Sequence, residues 1–63
     1  MKTMYDVRQL LKNHGTIVYT RDRSLDLSLM EEELRELYNW KIIDAEMFQL
    51  GLLILRNENK SIN

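Results

Sequence analysis

Apolar residues recur along this chain at helical spacing in three blocks. Met4, Val7, Leu10 and Leu11, continued by His14, fall three and four apart, which predicts a helix over about residues 4–14. Thr3 stands where an N-cap is needed, and Asp6 sits three residues later, where a carboxylate suits the helix dipole. Lys12 and His14 occupy the last turn, and Gly15 follows as a residue able to turn left-handed beyond the helix. In the second block Leu27, Met30, Leu34, Leu37 and Tyr38 form one stripe, with Leu25 and Leu29 widening it near its start. Glu31, Glu32, Glu33, Arg35 and Glu36 fill the other faces, and Glu31 and Arg35 are spaced for an i,i+4 ion pair. This second helix is capped by Asp22 or Ser24 and ends near Asn39 to Lys41. Ile17-Val18-Tyr19, between the first two blocks, is β-branched and aromatic, but no partner strand exists for it. An extended connector that lays its apolar side chains on the helices is the expectation.

The third block departs from an ordinary amphipathic stripe. Asp44 is placed as its N-cap, with Ile43 and Phe48 spaced as a hydrophobic staple, and the helix is expected from Ala45 to about Asn57. From Met47 to Leu55 only Gln49 and Gly51 are not large apolar residues. At about 100° per residue these side chains cover an arc of about 260°, where a helix on one side of a bundle needs about 100°. Either this helix is central to the fold or its outer face meets another molecule, because a bare apolar patch is rare on a soluble monomer. Phe48, Leu52, Leu53 and Leu55, with Trp40 at the preceding corner, are the candidate residues for self-association or partner docking. Trp40 has a plainer role available, closing the corner against the third helix; a binding hot spot is the sharper one. Gly51 would let another backbone come close, or is a tolerated weak helix former. The tail, residues 59–63, is polar apart from Ile62 and is expected to fray.

Size sharpens this picture. At 63 residues there is room for one domain, residues 1–63, and such a chain buries only about 60% of the surface it exposes when unfolded. Its core can supply roughly 3–5 kcal/mol of net stability. With no Cys and one His, neither disulfides nor a structural zinc site can add to that, and no cofactor or metal is expected. Close packing and oligomerisation remain. The opening residues place Asp6 and Arg8 where a signal peptide needs apolar ones, and the longest apolar run, Leu52 to Leu55, is far short of a membrane span. The expected setting is therefore the cytoplasm, with no membrane partner.

Catalysis finds little support. His14 has no nucleophile at a recognisable spacing, there is no glycine-rich phosphate loop, and the Glu31-Glu32-Glu33 carboxylates diverge by about 100° each on a helix. No catalytic residue and no small-molecule substrate is assigned, and the protein is expected not to be an enzyme. Nucleic acid is the stronger alternative. Net charge is −1, from nine basic and ten acidic residues, which argues against non-specific duplex binding. The charge is uneven, however. Residues 1–25 carry five basic and two acidic groups, whereas residues 26–46 carry two basic and seven acidic. Lys12, His14, Tyr19, Arg21 and Arg23, sharing one end of the bundle, would offer cations for phosphates and a ring for base stacking. The plainer alternative is a solvated surface with Tyr19 at the rim of the core.

Several segments, in this order and spacing, carry a family resemblance: Met4-Tyr5-Asp6-Val7, Leu10-Leu11-Lys12, Gly15-Thr16-Ile17-Val18-Tyr19, Asp22-Arg23, Glu33-Leu34-Arg35-Glu36-Leu37-Tyr38 and Leu53-Ile54-Leu55-Arg56. Over roughly residues 3–58 the chain resembles the YqgQ-like family of small proteins from Gram-positive bacteria. The resemblance implies a short three-helix bundle and no defined activity. It also implies single-stranded nucleic-acid binding, for which the residues available in this chain are Lys12, Tyr19, Arg21 and Arg23. The family pattern commonly has Gly before the Asp-Arg pair; Arg21 stands there in this chain, which raises local charge and argues against a glycine-type turn. The combined expectation is an all-α, three-helix protein that acts as an interaction module, as a homo-oligomer or with a protein partner, with single-stranded nucleic acid as the alternative.

Overall fold

A computed structural model describes residues 1–62, and Asn63 lies outside them. Three helices form, α1 (Met4–Asn13), α2 (Arg23–Asn39) and α3 (Ala45–Ile62), with no strand among the described residues. Each begins on a side-chain cap. Thr3 Oγ1 accepts from the Asp6 amide at 3.4 Å, and Asp6 Oδ2 accepts in return from the amides of Thr3 and Lys2 at 3.1 and 2.7 Å. Asp22, not Ser24, caps α2, accepting from the Leu25 amide at 3.2 Å. Asp44 accepts from the Met47 amide at 2.8 Å at the head of α3.

Both α1 and α2 close with the same device. Gly15 (φ 87°) donates to Lys12 O while the next amide, Thr16, reaches back to Leu11 O. Lys41 (φ 61°) donates to Tyr38 O while Ile42 reaches back to Leu37 O. These paired bonds satisfy carbonyls that a helix end leaves free. Helix α3 passes the expected end at Asn57 and runs to Ile62. No Gly or Pro interrupts the stretch, Ser61 Oγ donates to Asn57 O at 3.2 Å, and Arg23 of α2 forms an ion pair with Glu58. The apolar pattern ends at Leu55, but the helix does not need it to continue.

Helices α2 and α3 form an antiparallel hairpin: Arg23 meets Glu58 at one end, and the Tyr38 and Phe48 rings stack at the other, 4.6 Å apart and within 2° of parallel. Between them, Leu27, Met30, Leu34 and Leu37 face Phe48, Leu52 and Leu55, with Ile43 closing the corner and Val7 and Leu11 of α1 completing the core. Gly51 lies against Leu34; a Cβ there would come within 2.5 Å of Leu34 Cδ2. The close approach that Gly51 permits is thus by α2 of the same chain.

Helix α1 lies beside the half of this hairpin that ends at Arg23 and Glu58. Met4 sits near Ile54 and Asn57, and Leu11 and Lys12 near Met30. The connector then runs back along α2. Thr16 Oγ1 donates to Glu33 at 3.2 Å, and Thr20 donates to Asp26 Oδ1 through its amide at 2.8 Å and its hydroxyl at 2.6 Å. Glu33 and Asp26 are about 10 Å apart along the helix, so residues 16–20 are stretched between two anchors. Only Val18 packs onto the core. Ile17 and Tyr19, expected to lie on the helices, are 78% and 73% exposed, because a stretched segment turns alternate side chains away.

Candidate interaction surface

The wide apolar arc of α3 divides into three parts. Phe48, Gly51, Leu52 and Leu55 are buried and span about 100°, an ordinary core stripe. Met47 and Ile54 pack partly against the core, and Leu50 and Leu53 point outward. Phe48, Leu52 and Leu55 therefore do not form an outer face. They are consumed within the chain, because α2 lays its own stripe along that side of α3. Leu53 remains, 55% exposed.

Trp40 does not close the corner between α2 and α3. Ile43 and the Tyr38–Phe48 stack do that, and Trp40 is left 75% exposed with the half-exposed Ile42 beside it. The reason is one of length. Ten residues make α1 about 15 Å long, while the 17 residues of α2 extend about 25 Å. The chain leaves α1 at the level of Glu33, so α2 beyond Leu34 and α3 before Gly51 have no third helix over them. Tyr38, Trp40, Ile42 and Leu50 are the exposed apolar side chains of this uncovered hairpin end. A longest dimension of 32 Å against 20 and 17 Å reflects the same overhang.

The five candidate nucleic-acid residues are all exposed but do not share one end. Lys12 and His14 lie where α1 stops, His14 turned back so that Nδ1 donates to Leu10 O at 2.9 Å. Arg21 and Arg23 lie at the far anchor of the connector, and Arg23 is engaged with Glu58. Tyr19 stands between the two groups. Arg21 has a φ of 71°, so the turn before Asp22 is left-handed after all, held there by Thr20, whose hydroxyl accepts from the Asp22 amide at 3.2 Å.

One buried charged residue had no signal in the sequence. Asp26 faces inward under the connector, with its carboxylate below the usual range. The Thr20 hydroxyl is the largest cause, followed by the opposing push of burial, then the Thr20 amide and the charges of Arg8 and Arg23. Its role is to fasten the connector. No helix among the described residues is long and apolar enough to cross a membrane.

Comparison with known proteins agrees with this architecture in extent. The family model described as YqgQ-like matches residues 1–61. A Bacillus subtilis (strain 168) protein described as "Uncharacterized protein YqgQ" is 47% identical over 58 residues, which span 92% of this chain and 82% of that one. A match running from the first cap almost to the end of α3 takes in the whole bundle, and the chain belongs to the YqgQ-like family.

Proposed function

We propose that this protein is a non-enzymatic interaction module that self-associates through the uncovered end of its α2–α3 hairpin. The observation that carries this reading is the exposure of Trp40, Ile42 and Leu50 together where α1 is too short to reach, with Leu53 flanking them. Tryptophan is favoured at the centre of binding surfaces, since it removes a large rigid area from water at small entropic cost. A second copy is the favoured occupant because so short a chain, without disulfides, gains most from burying apolar surface against itself. The nucleic-acid reading is weaker. Its cations are divided between the two ends of the connector, and Arg23 is already paired.

Sedimentation and light scattering from micromolar to near-millimolar concentration test the proposal. The expected result is a dimer whose formation shifts the emission of Trp40, the single tryptophan, to shorter wavelength. Trp40→Glu and Leu53→Glu should each yield a folded monomer. A wild-type monomer throughout, with Trp40 emission unchanged, would reject self-association.

A further inference from the structure

A groove of about 210 Å³ runs between α1 and the connector, walled by Arg8 and Lys12 on one side, by Thr16, Ile17 and Val18 on the other, and floored by Leu11 and Met30. Three features converge on it. Its floor is apolar. Its connector wall is a stretched backbone, and among the described residues neither the amides nor the carbonyls of Ile17, Val18 and Tyr19 take a hydrogen-bond partner in the chain. Its α1 wall carries two cations, and the ion pairs among the described residues, Arg23–Glu58 and Arg35–Glu31, use neither of them.

A row of unpaired backbone groups is a template for an added strand. This one is prepared in advance, because Thr16 and Thr20 are tied to α2 and hold the segment stretched before anything binds. We propose that the connector edge accepts an extended peptide of another protein, with apolar residues facing Leu11, Val18 and Met30 and acidic residues facing Arg8 and Lys12. Charge selects this occupant. Pairing the connectors of two copies would bring Arg8, Lys12 and Arg21 of one against those of the other, and like charges at close range oppose that. The surface is separate from the hairpin end, so this proposal stands or falls independently of self-association through Trp40.

The test uses fluorescein-labelled peptides of alternating Val and Glu, a backbone N-methylated version of the same sequence, and a Val-Lys counterpart. Anisotropy should show salt-sensitive binding of the Val-Glu peptide, about tenfold or more weakened by N-methylation and by the Lys peptide. Arg8→Glu and Lys12→Glu should weaken it similarly, and the amides of Ile17, Val18 and Tyr19 should gain protection from hydrogen exchange. N-methylation changes only the ligand, so the result does not depend on a variant folding. The proposal is overturned if the N-methylated peptide binds equally well, if protection develops only around Trp40, or if oligothymidylate binds at these amides and the Val-Glu peptide does not.

Discussion

Arg21 and Lys41 hold positive φ without being glycine, at 71° and 61°. A side chain with a Cβ is strained there, at a cost of about 1–2 kcal/mol. Glycine removes the strain but adds freedom to the unfolded chain, so Arg21→Gly and Lys41→Gly are each expected to stabilise the fold by about 0.5–1 kcal/mol. Urea unfolding should show a raised midpoint with unchanged slope; a lowered midpoint for both would contradict it. The caps were legible in the sequence, since Thr3, Asp22, Asp44 and Gly15 act within four residues of themselves. Lys41 was not, because nothing about a lysine announces a left-handed backbone. Asp26 was hidden for a related reason: an acidic residue in the first turns of a helix reads as solvated, and its partner Thr20 lies across the turn. Its lowered pKa has a consequence of definite sign. The carboxylate's contribution to stability is fully present above the ordinary value, 3.8, and is lost as pH falls through the lower folded value. Asp6, lowered by the Lys2 and Thr3 amides, acts in the same direction. Acid titration followed by circular dichroism should therefore show stability falling below about pH 4, less steeply in Asp26→Asn. An identical acid profile for Asp26→Asn would show that the Thr20 bonds do not distinguish folded from unfolded carboxylate.

The three helices and their faces follow from periodicity, and α3 shows where periodicity stops being informative. Counting apolar residues marks a 260° arc but cannot say which part is buried. The buried part is centred between Leu55 and Phe48 and takes in Gly51 at its edge, and a glycine has no weight in such a count. Leu50 and Leu53, which do have weight, point the other way. The decisive contact is between elements: Leu34 fills the space that a side chain at Gly51 would take. Gly51→Ala should gain about 1 kcal/mol of helix propensity and lose about 2 kcal/mol to overpacking, a net destabilisation near 1 kcal/mol. Leu34 is fully buried, so its methyls have nowhere to move. In the Leu34→Val background the clash is relieved, and Gly51→Ala should become neutral or stabilising. Additive effects of the two substitutions in a double-mutant cycle would rule out this coupling.

At the scale of the molecule, one long hairpin is covered by a shorter helix, and cohesion should be distributed accordingly. Beside α1, the segment from Leu27 to Leu34 packs against two elements and is overlaid by the tethered connector. Beyond it, α2 and α3 have only each other, through the Tyr38–Phe48 stack and the Arg35 guanidinium 5.8 Å over the Phe48 ring. A region with fewer buried apolar neighbours opens at lower free energy than the whole. Amides from Leu37 to Trp40 and from Phe48 to Leu50 should then exchange faster in dilute solution than those from Met30 to Leu34 and from Leu52 to Leu55. Raising the protein concentration should slow the first group selectively, since a second copy seated on Trp40 and Ile42 would supply the cover that α1 does not. Equal protection along both helices at every concentration would mean that the hairpin end is already as well held as the centre, and that its exposed tryptophan has no stabilising partner to gain.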